Sequence, residues 1–299
     1  MKRFLLLLLP LVFLLSACGG KPEASAVPMP TDGGDEAQIQ LDPNDPLTGF
    51  LDLRQLPEET AAAASQALAL TSQDNDVQAT LQKAVGDAGL LYLTLEVTYP
   101  DRVDLSDAPQ QLQDNLVLAE GTITDPGQMP DTSFSDGCHI TCQGSQVSEH
   151  TINLLFTVSC DPPLLTPGKE VTLLYRDHLG QSAHLFSWTL QTEAPARQAE
   201  LVRQDGTVVG SADLSLFSAH LTFQDAALAQ LTAAQLQETF AFLDESGQAL
   251  PSFQAAAVHQ EESALSLTAQ SFVPTLPDQI HAVQLGDQTI QVRSDGQTS

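Results

Sequence analysis

The densest cluster of reactive side chains in this sequence is Cys138-His139-Ile140-Thr141-Cys142, with His150 shortly after it and Cys160 beyond. Thiolates and imidazoles hold zinc when four of them converge tetrahedrally. Here the two cysteines stand alone, without the second pair of ligands that makes a zinc motif specific, so no metal site is assigned. A disulfide is the simpler chemistry. Residues four apart in an extended strand lie about 13 Å apart, too far for one to span. A Cys138–Cys142 bond therefore requires the chain to curl, and Gly137 and Gly144 permit that. This pairing is the expectation, with Cys160 left free; Cys142–Cys160 is the alternative. Cys160 is in phase with Ile152, Leu154, Phe156 and Val158 and otherwise reads as a buried core thiol.

Other reactive groups are more dispersed. Asp74-Asn75-Asp76 and Asp42-Pro43-Asn44-Asp45 offer oxygens for calcium, but neither has the length or glycine of an EF-hand loop. Turn formation explains both. The 7 histidines form no His-Glu-x-x-His pair, and the sequence has no Gly-x-Ser-x-Gly elbow and no P-loop. Serine and aspartate are abundant, and spacing does not test a triad assembled only by the fold. No catalytic residue and no cofactor is assigned, and the expectation is a non-enzyme. Trp188 and the phenylalanines sit at core phase and read as packing rather than as a ligand platform.

Cys18 has a different chemistry. Lys2 and Arg3 precede an apolar run from Phe4 to Leu15, broken only by Pro10. A bilayer-spanning helix needs about 20 apolar residues, so this run has the length of a signal-peptide core instead. Leu15-Ser16-Ala17-Cys18 then resembles the lipobox read by lipoprotein signal peptidase. The resemblance implies cleavage between Ala17 and Cys18 and a diacylglyceryl thioether on Cys18. Two acyl chains hold a protein stably at a membrane where one does not. The polar stretch that follows, to about residue 48, is punctuated by Gly19-Gly20, Pro22, Pro28, Pro30, Gly33-Gly34, Pro43 and Pro46. It buries too little apolar surface to offset its ordering entropy and reads as a flexible tether with a reach of roughly 30 Å.

The composition limits possible partners. Of 299 residues, 38 are acidic and 11 basic. Loss of the leader removes Lys2 and Arg3 but no acid, leaving 9 basic residues against 38 acidic, a formal −29. Such a surface is repelled by nucleic acid and by anionic lipid, which argues against a DNA- or RNA-binding role. The membrane partner is reached through the lipid alone. The acids are scattered rather than blocked, as on a solvated surface. Apolar residues make up 42% of the chain, enough for packed cores.

The elements that must position these groups read as strands. Val77–Val85 and Leu90–Tyr99 flank Gly86-Asp87-Ala88-Gly89, a hairpin signal. Leu91, Leu93, Leu95 and Val97 alternate with polar residues, as do Ile152 to Cys160, Val171 to Tyr175 and Phe186 to Leu190. Leu116–Ile123 is a further short strand. Glu193-Ala194-Pro195-Ala196-Arg197 is a boundary, after which the pattern restarts with Glu200–Gln204 and Thr207–Val209 around Asp205-Gly206. Leu214, Leu216, Leu221 and Phe223 predict one longer strand with a bulge near Phe217–Ser218. Ala226–Gln237 predicts a short helix. Further strands are expected at Phe240/Phe242, Leu265/Leu267, Val283/Leu285 and Ile290/Val292. Leu56–Leu70 fits either a helix started by Pro57 or, at Ala67–Thr71, an edge strand. The fold class is therefore all-β: tandem antiparallel immunoglobulin-like sandwiches with a short helix in the second. The expected division is 1–17 signal peptide, 18–48 tether, 49–194 first sandwich and 195–299 second.

Val77–Pro100, Ile152–Trp188 with its Leu165-Thr166-Pro167-Gly168-Lys169 turn, and the tail from Pro277 to Asp287 together resemble an uncharacterised extracytoplasmic domain of Gram-positive bacteria and the immunoglobulin-like unit that follows it. In that family the domain stands behind a membrane segment in anti-sigma-like or sporulation-linked envelope proteins. The resemblance implies a tandem β-sandwich at the outer face of the cytoplasmic membrane and supplies no catalytic residue. This sequence lacks the family's cytoplasmic sigma-binding segment, which puts direct anti-sigma activity in doubt. The functional expectation is a lipid-anchored lipoprotein with a non-catalytic binding or sensory role, its partner an envelope protein. A cell-wall or peptide hydrolase and a purely structural lipoprotein are the alternatives.

Overall fold

Strand alternation organises the computed structural model into three antiparallel sheets. The structure describes residues 47, 51, 53–104, 116–130, 137–161, 163–177, 182–250, 253–261 and 263–294. The expected cleavage and lipidation positions, Ala17 and Cys18, and most of the tether lie outside the described residues. The described residues all belong to one compact unit.

The first β-region is a two-layer sandwich. One layer is a five-stranded sheet of β1 (Ser65–Asp74), β2 (Val77–Gly86), β3 (Leu90–Thr98), β5 (Cys138–Gln146) and β6 (Thr151–Cys160), in the order β1-β2-β3-β6-β5. The other is three-stranded, β4 (Leu116–Glu120), β7 (Glu170–Arg176) and β8 (Ala183–Thr189), in the order β4-β7-β8. The inward parity of each strand supplies the core: Leu81, Leu91, Leu93, Leu95, Leu154, Phe156, Leu173, Phe186 and Trp188 pack in one cluster. Each fully buried side chain of this kind stabilises the fold by roughly 1.5–3 kcal/mol.

Local chemistry sets the turns. Between β1 and β2, Asn75 and Asp76 adopt φ of 49° and 64°, the two left-handed residues that a primed hairpin turn requires. Asp74-Asn75-Asp76 is thus a turn, as its composition suggested. Both readings of Leu56–Leu70 hold in part: helix α1 spans Glu58–Ala63 with Pro57 at its N-cap, and β1 follows as an edge strand.

The second β-region is a single eight-stranded antiparallel sheet. Its strands are β9 (Ala196–Val202), β10 (Val208–Ser215), β11 (Ser218–Phe223), β12 (Ala241–Leu243), β13 (Phe253–Gln260), β14 (Leu265–Ser271), β15 (Ala282–Leu285) and β16 (Gln288–Ser294). Their order is β12-β15-β16-β9-β10-β11-β14-β13. The sheet folds over on itself: its two terminal strands meet through Phe242 and Phe253, whose rings cross edge-to-face at 4.9 Å. One core, including Leu201, Leu214, Leu221, Leu267 and Ile290, fills the interior.

Two expectations for this region are corrected. Leu214–Phe223 is not one bulged strand. β10 and β11 pair antiparallel, with Leu214 opposite Ala219, so Leu216-Phe217 is the tip of a tight hairpin. The expected helix over Ala226–Gln237 is displaced. A 3₁₀ turn covers Leu228–Gln230, and helix α2 covers Ala233–Thr239. Thr232 interrupts the first because it caps the second: its hydroxyl accepts from the Gln235 N–H, and the Gln235 side chain accepts from the Thr232 N–H. Among the described residues, no helix is long and apolar enough to cross a membrane.

Candidate functional site

The apolar tip Leu216-Phe217 is fully buried, in a cluster with Val85, Leu90, Tyr92 and Leu155 of the first region and with Leu47 and Leu51. Phe217 meets Tyr92 edge-to-face at 5.8 Å. Asp87, in the β2–β3 turn and 2% exposed, fixes this contact. Its carboxylate accepts from the Gly89 and Leu90 N–H groups of its own turn. It also accepts from the Phe217 N–H and the Ser218 hydroxyl across the junction, each at 2.7 Å. A buried carboxylate with four donors is satisfied and strongly held. Gly89 is required here, since a β-carbon on it would lie 2.6 Å from the Ser218 oxygen. The turn that reads in sequence as an ordinary hairpin loop is therefore also half of a clasp.

Beside this clasp the junction becomes polar and open to solvent, and its side chains converge. Asp161, just after β6, meets the outer face of the second region's sheet. It accepts from the Thr268 hydroxyl at 2.5 Å and lies 2.7 Å from His259 Nε2. His220 Nδ1 lies 3.0 Å from the Thr268 oxygen and 4.0 Å from Asp161. Ser266 Oγ lies 3.4 Å from His220 Nε2. One residue pair away, Gln270 donates to Ser159 at 2.5 Å. Ser159 and Asp161 thus engage Gln270 and Thr268 in matching steps of two. The His259 side chain is 70% exposed, whereas those of His220 and Asp161 are about one-fifth exposed.

Thr268 donates to the carboxylate, so its oxygen is left to accept from His220 Nδ1–H, while the direction of the contact between Nε2 and Ser266 follows the tautomer of the imidazole. Hydroxyl, imidazole and carboxylate stand in series, as a base-activated nucleophile needs. Two features separate the arrangement from an acyl-transfer site. Thr268 intervenes between imidazole and carboxylate, which weakens the orienting charge. Ser266 also lies inside β14, opposite Thr222 of β11 on one side and His259 of β13 on the other. The neighbouring backbone N–H groups are taken up by the ladders and do not point outward as oxyanion donors.

A second series of the same groups lies inside the first sandwich. Asp177 accepts from Ser182 at 2.7 Å, Ser182 lies 2.9 Å from His184 Nε2, and His184 Nδ1 lies 3.2 Å from Ser72. His184 is 0% exposed and Asp177 1%, so no substrate reaches them. Burial lowers the His184 pKa from 6.5, opposed by the Asp74 and Asp177 carboxylates. Nearby, burial drives the Tyr99 phenol up to about 12, and its hydroxyl lies 3.3 Å from that of Tyr175. This network satisfies polar groups between β1 and β8 and reads as structural.

The cysteines are arranged differently from the expectation. The disulfide joins Cys138 to Cys160, and Cys142 is the free, buried thiol. Cys138 through Gln146 does not curl; it is the regular strand β5, which keeps Cys138 and Cys142 far apart. β5 pairs with β6 so that Cys138 stands directly opposite Cys160, with Cα atoms 4.1 Å apart. Burial pushes the Cys142 thiol well above its ordinary pKa, away from reactivity. His139 and His150 are exposed and do not converge with the cysteines. Among the described residues, no three His, Cys, Asp or Glu side chains are placed to hold a metal.

The junction cluster was not legible in the sequence. Alternation puts His220 and Thr222 on the face opposite Leu221 and Phe223, hence out of the core. Nothing in spacing says that Asp161 meets them, because the pairing of β14 with β11 and the docking of the two regions create the cluster.

No family model matches this chain, and no curated protein matches it. Among solved structures, the crystal structure of the conserved domain protein from Bacillus anthracis is similar over 76% of this chain and 77% of its own, with 12% identity and a TM-score of 0.43. A likeness of that degree says nothing of what either protein binds.

Proposed function

We propose that this chain is a lipid-anchored extracytoplasmic lipoprotein whose β-rich part has a non-catalytic binding or sensory role at the cell envelope. The observation that carries the location is the Cys138–Cys160 disulfide, a bond that persists outside the reducing cytosol. It agrees with the leader and the lipobox-like Leu15–Cys18, which would place Cys18 at the outer face of the cytoplasmic membrane of a Gram-positive cell. The formal −29 of the mature chain favours a folded part held off an anionic bilayer and a protein partner rather than nucleic acid. The buried clasp around Asp87 joins the two β-regions, which supports their presentation as one unit.

The test is the mature N-terminus. Mass spectrometry of the protein from a Gram-positive host should find Cys18 as the first residue, carrying diacylglycerol. Cys18→Ala should move the protein from the membrane fraction to the medium. An unlipidated chain that begins at Met1 and fractionates with the cytosol overturns the proposal.

One observation favours a second reading, the hydrolase. Ser266, His220 and Asp161 stand in series at a solvent-facing junction. A fluorophosphonate probe should label Ser266 if that series activates it, and Ser266→Ala should abolish the label. Absence of labelling where a known serine hydrolase is labelled fully removes this reading.

A further inference from the structure

We infer that the Cys138–Cys160 disulfide is a redox-controlled latch on the contact between the two β-regions. The bond closes the end of the β5–β6 ladder, where the Asp161 N–H donates to the Gly137 carbonyl at 3.0 Å. Cys160 points into the sandwich core, and the residues on either side of it point the other way. Those two are Ser159 and Asp161, and both bond to β14 of the second region. Asp161 also holds His259 of β13. The Cys160 N–H donates to the Gly89 carbonyl, and Gly89 belongs to the turn whose Asp87 grips Phe217 and Ser218. The covalent bond therefore fixes the strand end that carries Ser159 and Asp161, and a backbone bond ties that end to the turn that carries the Asp87 clasp. Its two partners are unequal in access: Cys160 is 0% exposed, whereas Cys138 is part-exposed.

An envelope dithiol reductase or a small dithiol would act on this bond from the Cys138 side. Its thiolate bonds to Cys138 Sγ, the Sγ–Sγ bond breaks, and Cys160 leaves as a thiolate that takes a proton. The reductant's second thiolate then displaces Cys138, which is protonated in turn, and the reductant departs as its own disulfide. Two electrons and two protons enter the protein. The end of β5 is then held to β6 by backbone bonds alone, and Asp161 is free to withdraw from His259 and Thr268.

The experiment uses the full mature chain, reduced with dithiothreitol under native conditions, and the Cys138→Ala/Cys160→Ala variant. Two readouts lie across the junction from the disulfide: modification of His259 by diethyl pyrocarbonate, and exchange of the Phe217 amide. Both should speed up about tenfold on reduction, while the Ala212 amide in the β9–β10–β11 ladder keeps its protection. Asp161→Ala in the oxidised protein should reproduce the His259 change. The latch is refuted if both junction readouts stay unchanged once the thiols are free. It is equally refuted if all amides speed up together, or if the folded protein resists the reductant.

Discussion

Replacing Phe217 with alanine tests whether the two β-regions act as one body. The side chain is 0% exposed, and its cluster is mostly of the other region and the segment leading into it, Tyr92, Val85, Leu90, Leu155, Leu47 and Leu51, with Leu216, Phe272 and Leu276 from its own region. Truncating a buried phenylalanine costs about 3–5 kcal/mol, from lost transfer energy and the cavity left behind. Most of the cluster it fills lies across the junction, so most of that loss should fall on the coupling between regions. The chain contains 1 tryptophan, Trp188, in the core of the first region. Its fluorescence therefore follows the first region, and far-UV circular dichroism follows both. In urea the two probes should give coincident transitions for the native sequence. For Phe217→Ala they should separate into two steps, each with a smaller m-value. A loss under about 1 kcal/mol with coincident curves would refute the argument that this tip couples the regions.

Three further outcomes are expected. Asp87→Asn keeps the shape but sets an amide N–H₂ against backbone donors, and should cost about 2–3 kcal/mol by urea titration, because charge-assisted bonds are lost. His184 has its folded pKa below the ordinary 6.5, so the unfolded chain takes up the proton first as pH falls. Its contribution is complete above about 6.5 and drains away as pH drops from there towards the folded value; the thermal midpoint between pH 7.5 and 5 should fall accordingly, and His184→Asn should flatten that slope. Ala69 sits at φ 50° in the irregular step of β1, which costs an L-residue about 1–2 kcal/mol. Ala69→Gly should raise the urea midpoint slightly, glycine's own entropy offsetting about half of the relief; a lower midpoint contradicts the strain argument.

How much was legible varies from element to element. β3 and β6 were readable because one face of each is buried, and a period of two is visible wherever that holds. β13 was not, since FQAAAVHQ carries alanines on both faces and its burial barely alternates. β5 was hidden by its cysteines: the glycines at 137 and 144 suggested a curl, yet the strand runs straight as the edge of a five-stranded sheet. The β10–β11 turn was hidden for a physical reason. Turns are recognised by polar and glycine residues that suit solvent, and this one is Leu216-Phe217 because its tip is buried in the neighbouring region.

The sequence alone determined which faces of most strands are apolar, where the hairpins with glycine- and aspartate-rich turns bend and how the charge is balanced, because the first two are fixed within a few neighbouring residues and the last is a plain sum. Which cysteines meet, and which serine, histidine and aspartate converge at the junction, was decided by tertiary structure. Cys138 and Cys160 are brought together by the β5–β6 register, and Asp161, His220, His259 and Ser266 by the docking of one sheet against another. Cross-strand register and docking depend on the sum of many weak contacts between segments far apart in the chain, and no local spacing records that sum.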